Sequence, residues 1–569
     1  MLSKGFLRLG NRRVPFISSS TEPLHLIVLV VAIGTLYFFV GIFDHSLWSP
    51  TEPAVAGIVW NMYTYSDLAV PHINNIPYLE KPPLYYWTSL AACKALGGLD
   101  DGLIRLPSVI FGVLSLVLVY WIANKKYGNN VANVTVLLGA TCSSFYELSH
   151  RACTDIAATF FIFLAFSIFM NTLDADTGTQ DRKTKNFDIL FCLILSLAFY
   201  AKNFYVHLIV LPPVVTYLLL KRQYRRTVGL FSMLVLFLVV VVTPWCLALY
   251  HEGGWELLRI VFVDNTLGRF FHIAVAGNIA SEPLNDAYIA EKGKSTFFYL
   301  GSFFTIMQPW LLIFATAIVA LYRKKQVSEF QQFLKITFIV IPVVLSLSTS
   351  KVTEYLIPIL FILLLISGDF LNDVFHQTRK LTFWETALVG INITLFAIAL
   401  VIFPFVESFL VHKPILILWT IPIALFLFLL WKYVRKNRFD FLFLHYFLSF
   451  SAVMLFVLLV NLVPYIEDLN ATKYFFTKIE KTTDHRKLYT TFYGDRRLPI
   501  ITYYLNRRIT VLTNHKSVFD ELRSIHKVGI IIPSDFYIKN IQRFNAIPHT
   551  IIKTSRGRDI FTFVFNHDK

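Results

Sequence analysis

A few polar residues stand inside or beside strongly apolar stretches: Glu52 in LWSPTEP, Tyr78, Glu80 and Lys81 in PYLEKPPLYYW, Asp155 in RACTDIAAT, Lys202 in FYAKNFY, Arg269 in FVDNTLGRFF, and Lys351 with Tyr355 in STSKVTEYLIP. Charge in such surroundings is costly and marks a candidate site. Lys81, Lys202, Arg269 and Lys351 could hold a lipid phosphate and stabilise the charge it gains as its bond to a sugar breaks. Glu52 or Asp155 could take a proton from, or orient, the group attacking the anomeric carbon. Each residue also has a plainer reading. Lys202 and Lys351 could snorkel from helix ends, Glu52 could be a first-turn helix charge, and Asp155 could pair with Arg151 four residues earlier. Arg269 could be a surface charge.

The elements that must position these groups follow from composition. The chain has 569 residues, 56% of them hydrophobic and 15% charged, where a soluble domain carries about 25% charged residues. Mean hydropathy is +0.58. The fold class expected is a mainly α polytopic membrane protein. Its net charge of +16 lies in short clusters between apolar segments, which reports membrane topology and not a nucleic-acid partner. The five cysteines are scattered singly, with no C-x-x-C pair, so they read as packing residues.

With about 20 apolar residues needed per crossing, about thirteen spans are expected. They lie near 24–43, 103–124, 129–149, 151–171, 187–201, 203–220, 228–250, 297–321, 332–349, 354–373, 383–406, 413–431 and 441–464. Basic clusters such as Lys125/Lys126, Arg225/Arg226, Arg323/Lys324/Lys325 and Lys432/Arg435/Lys436 fall at every second connection. The positive-inside rule then places the N-terminus in the cytoplasm and the C-terminus outside, with the first apolar run a retained span. Two domains are expected. Residues 1–465 form the membrane domain, with outer loops near 44–102 and 251–296. Residues 466–569, where RKLYTTFYGD, RRITVLT, VGIIIPSDF and RDIFTFVF read as short strands around a helix at 515–526, form a small extracytoplasmic α/β domain. The first loop, rich in aromatics and proline, suits helices lying at the interface. No internal repeat is visible, which weighs against an inverted-repeat transporter.

LWSPTEP, VPHINNIPYLEKPPLYYW, GLIRLPSVIFGVLSLVLVYWIA, RACTDIAATFF, the PW of TPWCLALY, GRFF and STSKVTEYLIPI follow in this order between Leu47 and Ile359. Together they resemble the bacterial membrane glycosyltransferases related to the lipid A aminoarabinose transferase and, more distantly, the protein O-mannosyltransferases (glycosyltransferase families 83 and 39). The ending LYTTFYGDRRLPIITYYLNRRITVL resembles that family's extracytoplasmic C-terminal domain. The resemblance implies a GT-C fold and a polyprenyl-phosphate-sugar donor. It places Glu52 and Asp155 at the family's acidic positions, Tyr78, Glu80 and Lys81 around the carrier phosphate, and Lys202, Arg269 and Tyr355 at further donor positions. Two positions depart from the family pattern. Glu52 is followed by Pro53, Ala54 and Val55 where an Arg-Tyr pair is common, and Thr266 stands where members often carry histidine. Metal binding and the identity of the sugar are thereby left open.

The function expected is sugar transfer from a polyprenyl-phosphate carrier, undecaprenyl phosphate in a bacterium, to a lipid A, glycan or protein acceptor on the periplasmic face of the inner membrane. Membrane lipids are partners and no nucleic acid is. No cofactor or metal is called for, with a divalent cation as the alternative. The rival readings are a flippase or transporter of lipid-linked sugars, an oligosaccharide ligase, and a catalytically silent relative that only binds lipid phosphate.

Overall fold

The computed structural model describes residues 6–9, 12–15, 38–48, 51–173, 180–268, 294–348, 351–376, 379–437, 441–470, 472–482, 486–492, 497–512, 514–524, 526–553 and 561–566. It is mainly helical, with a small mixed sheet near the C-terminus. Helix starts are encoded locally. Asp100 accepts from the Gly102 N–H at 2.8 Å ahead of Asp101–Tyr127, and Ser328 with Gln331, and Thr382 with Glu385, build capping boxes. These side chains satisfy N–H groups that the first turn leaves unpaired. Pro107, Pro244, Pro342 and Pro404 sit inside long helices, as packed membrane helices allow.

Six described helices are long and apolar enough to cross a membrane, or up to eight if two sharply bent pairs each count as one span. Every expected span beyond the first coincides with helix, while 24–43 falls mostly outside the described residues. Two expected spans break. Residues 129–149 divide into Asn129–Ala140 and Ser143–His150, and Ser143–His150 meets Thr154–Met170 at 117°; Phe298–Ile306 meets Leu311–Arg323 at 114°.

The bundle has two chemically distinct ends. Thr154–Met170 is 17 residues long, about 25 Å at 1.5 Å per residue, with Asp155 at its start. Just past its far end, Asn171 accepts from Lys125 at 2.5 Å and Thr172 from Arg226 at 2.9 Å. Arg226 also pairs with Asp188 at 2.7 Å, Lys221 with Glu329 at 2.7 Å, and Lys324 with Asp369 at 2.6 Å and Asp373 at 2.7 Å. Basic clusters thus hold acids at the end remote from Asp155.

The C-terminal sheet runs in the order Thr510–Val511, Lys487–Thr490, Val528–Pro533, Phe561–Asn566, His549–Lys553. The first three strands are parallel and the last two antiparallel to their neighbours. Val528–Ile532 is wholly buried, as expected of a strand covered on both faces. Ile531 joins the core shared with the membrane helices, while Ile530 and Ile532 pack with Val518, Phe519 and Phe544. His549–Lys553 is a strand that no expected run covered, and Phe441–Asn470 runs through residue 465.

This sheet unit grips the first loop. Asn74 bonds both the N–H and the carbonyl of Ile509 at 3.0 Å, Trp60 donates to Asn506 at 2.7 Å, and Arg508 lies 3.7 Å over the Tyr65 ring. Gly57 makes the approach feasible: a Cβ there would lie 2.5 Å from the Cβ and 2.9 Å from the Cα of Pro499. Gly57→Ala adds about 1 kcal/mol of helix propensity, but overpacking against a rigid ring costs about 1–3 kcal/mol. We therefore expect a lower melting temperature in detergent and faster proteolysis after Asn470. A melt at or above wild type would contradict this packing.

Candidate active site

Asp155 is the second residue of Thr154–Met170, where the helix dipole favours a negative charge. Lys202, which ends the short turn Phe199–Lys202, is 7% exposed and donates to the Asp155 carboxylate. Its ammonium also lies 4.6 Å from the Tyr205 ring centroid and 4.3 Å from that of Tyr355. The Tyr205 hydroxyl donates to the Tyr355 carbonyl at 2.8 Å, tying the two rings together. Lysine here is a fixed charge between a carboxylate and two π-faces, each favourable to a cation.

The first loop brings a second cation. A small hairpin of His72–Ile73 and Ile76–Pro77 turns the chain, and Tyr78 N–H donates to the Pro71 carbonyl at 2.7 Å. The Tyr78 hydroxyl donates to Glu80 at 2.6 Å, Glu80 lies 3.8 Å from Lys81, and Asn265 donates to the Leu79 carbonyl at 2.9 Å. Burial disfavours the Lys81 charge, but Glu80 and Asp155 outweigh it and raise its pKa. Lys81, 22% exposed, therefore remains cationic beside Asp155.

Glu52 is placed differently. It begins the helix Glu52–Tyr65 and is 1% exposed. Arg105 clasps it through Nε at 2.7 Å and a terminal nitrogen at 2.8 Å, while Trp48 N–H at 2.7 Å and Ala152 N–H at 2.9 Å fill its other acceptor positions. Burial alone would raise its pKa, yet Arg105 and the two backbone donors hold it below the usual carboxylate range. Arg105, fully buried, spends its remaining donors on the carbonyls of Ile42 at 2.8 Å, His45 at 3.0 Å and Ser46 at 2.8 Å. All five guanidinium N–H groups are used. Burial and the same charge push neighbouring His45 down to about 4. Glu52 reaches toward the site through Ala152, three residues before Asp155.

Of the residues singled out in the sequence, the structure gathers Tyr78, Glu80, Lys81, Asp155, Lys202 and Tyr355. Glu52 lies behind them, and Arg269 lies outside the described residues. Lys351 is buried and donates to the Ser348 carbonyl at 2.5 Å, while its own carbonyl accepts from Lys294 at 2.7 Å. Arg151 does not take Asp155 as its partner; it bonds Glu147 at 3.0 Å and approaches Glu354 at 3.8 Å. Arg105 was not singled out, although an arginine inside an apolar helix is itself a signal. It supplies the cation missing after Glu52, from 53 residues along the chain.

The dolichyl-phosphate-mannose-protein mannosyltransferase family matches residues 80–247. The undecaprenyl phosphate-alpha-4-amino-4-deoxy-L-arabinose arabinosyl transferase of Pseudomonas paraeruginosa is 26% identical over 373 residues, 65% of this chain and 64% of that protein. Its counterpart in Edwardsiella ictaluri is 25% identical over 349 residues, 61% of this chain and 59% of that protein. The chain thus spans under two thirds of the length of these relatives. The crystal structure of ArnT from Cupriavidus metallidurans bound to undecaprenyl phosphate superposes with a TM-score of 0.74 at 16% identity, covering 96% of this chain and 98% of that one. The chain therefore has the GT-C fold of a multi-pass membrane glycosyltransferase and resembles the aminoarabinose transferases in sequence.

Proposed function

We propose that this chain transfers a sugar from a polyprenyl-phosphate carrier to an acceptor at the extracytoplasmic face of the inner membrane, the N-terminus lying in the cytoplasm. Residues 1–465 would form the transferase domain and 466–569 a small domain over its loops. The observation that carries this reading is Lys202 paired with Asp155 beneath Tyr205 and Tyr355, with Lys81 alongside. Two lysines around one carboxylate can exchange that partner for a phosphate, which leaves Asp155 free to act.

In the proposed step an acceptor hydroxyl attacks the anomeric carbon. Its oxygen forms the new C–O bond while the bond to the carrier phosphate breaks and its electron pair leaves with the phosphate. Lys81 and Lys202, with Arg269 as a further proposed ligand, stabilise that charge. The acceptor's proton passes to Asp155, and inversion at the anomeric carbon follows from the single displacement. Undecaprenyl phosphate is the carrier proposed, because two relatives bear it in their names. Lipid A, another glycan or a protein would be the acceptor.

The test is transfer by the purified chain from an undecaprenyl-phosphate-linked sugar, read by mass spectrometry of the product. Lys81→Ala should weaken carrier binding roughly 10–100-fold, the loss of a charge-assisted hydrogen bond of about 1.5–3 kcal/mol. Carrier binding without any covalent product would favour a flippase. Unchanged carrier binding in Lys81→Ala would remove the phosphate role.

A further inference from the structure

We propose that Asp67, His72 and Glu252 bind one divalent transition-metal cation, with zinc preferred, at a site separate from the Asp155–Lys202 pair. One ligand atom from each residue lies within 4.8 Å of the others. Asp67 Oδ2 is 3.1 Å from His72 Nδ1, and Glu252 Oε1 is 3.5 Å from Nε2. The Val70 carbonyl lies 2.9 Å from the same Nδ1, and Nε2 is the nitrogen that faces Glu252. A carboxylate oxygen of Asp67 and one of Glu252 also lie within 4.8 Å of each other. A cation among them would take one ligand atom from each of the three side chains.

The donor set indicates which cation. One imidazole with two carboxylates suits zinc or a similar transition ion, whereas calcium takes six or more oxygens. Zinc ligands about 2.0–2.2 Å from the metal stand roughly 3.4–4.4 Å apart, so closure from 4.8 Å needs only small side-chain rotations. The side chains are 32%, 16% and 37% exposed, which leaves an entry path and room for water ligands.

The site would join two parts of the chain. The other Asp67 oxygen accepts from Ala69 N–H at 3.2 Å and Val70 N–H at 3.3 Å, and Trp245 donates to the Ala69 carbonyl at 2.8 Å. Glu252 directly precedes Gly253 and Gly254, where the helix Tyr224–Arg259 departs from helical geometry. A bound ion would fasten that break to the loop leading into Tyr78, Glu80 and Lys81. Cation binding here does not depend on the sugar-transfer reading.

The experiment is calorimetric titration of the full chain, chelator-stripped in detergent, with zinc chloride and separately with calcium chloride. We expect one equivalent of zinc, bound at least tenfold more tightly than calcium. His72→Ala and Glu252→Gln should each weaken zinc binding at least tenfold, while Glu80→Gln in the neighbouring turn should leave it unchanged. Zinc should raise the melting temperature of wild type but not of Glu252→Gln. No saturable zinc binding, wild-type affinity in Glu252→Gln, or loss of binding only in Glu80→Gln would overturn the proposal. Glu252, partly exposed, keeps the test valid if His72→Ala does not fold.

Discussion

Asp155→Asn is expected to lower sugar transfer roughly 1,000-fold, within the range of about 10²–10⁴ that a positioned acid–base group contributes. Asparagine keeps the size and one acceptor oxygen, so the bend before Thr154 should survive. It cannot accept the acceptor's proton. It also ends the Lys202–Asp155 ion pair, which frees Lys202 for an incoming phosphate, so carrier affinity should hold or rise while kcat falls. Lys202→Met should show the reverse emphasis. It leaves Asp155 without its closest cation and removes the charge over Tyr205 and Tyr355, so carrier binding fails before turnover is reached. Steady-state kinetics with a carrier-linked sugar, beside direct binding of undecaprenyl phosphate, separates the two. If Asp155→Asn retained turnover within tenfold of wild type, Asp155 would not be the base.

Much of this arrangement was legible in the sequence because charge is conspicuous against an apolar background. Lys81, Asp155, Lys202 and Tyr355 stood out, and the structure brings them together. Pairing was harder to read. Arg151 lies four residues before Asp155, a spacing that pairs side chains only within one helix. The helix begins at Thr154, after a 117° bend, so Arg151 bonds Glu147 and approaches Glu354, and Lys202 is the cation that bonds Asp155. The bend itself is invisible to hydropathy, since the short polar arm Ser143–His150 is averaged with the strongly apolar Thr154–Met170. Arg105 escaped notice because its partner is 53 residues away, and only tertiary packing connects them. Among the strands, buried runs such as Val528–Pro533 announced themselves, whereas the five residues of His549–Lys553 carry too short a pattern.

Arg105→Met is expected to destabilise the fold by about 3–5 kcal/mol, the cost of leaving a buried carboxylate without its counter-ion. Methionine keeps the unbranched apolar stem of arginine but returns none of the bonds to Glu52 or to the carbonyls of Ile42, His45 and Ser46. If the penalty comes from the orphaned charge, adding Glu52→Gln should recover part of it, because a neutral amide is far cheaper to bury. Arg105→Lys should fall between, since an ammonium has three donors where the guanidinium uses five. A thermal melt in detergent orders the four proteins. The catalytic consequence is separable from stability: Glu52 anchors Ala152 N–H at 2.9 Å and, with the Ser108 hydroxyl on the Arg151 carbonyl at 2.7 Å, fixes the strip from Arg151 to Asp155. Below its melt, Arg105→Lys should therefore lose turnover while keeping carrier affinity, the behaviour of a positioning residue. A melt of Arg105→Met matching wild type would mean that Glu52 is satisfied by its backbone donors alone. The pair would then hold nothing in place.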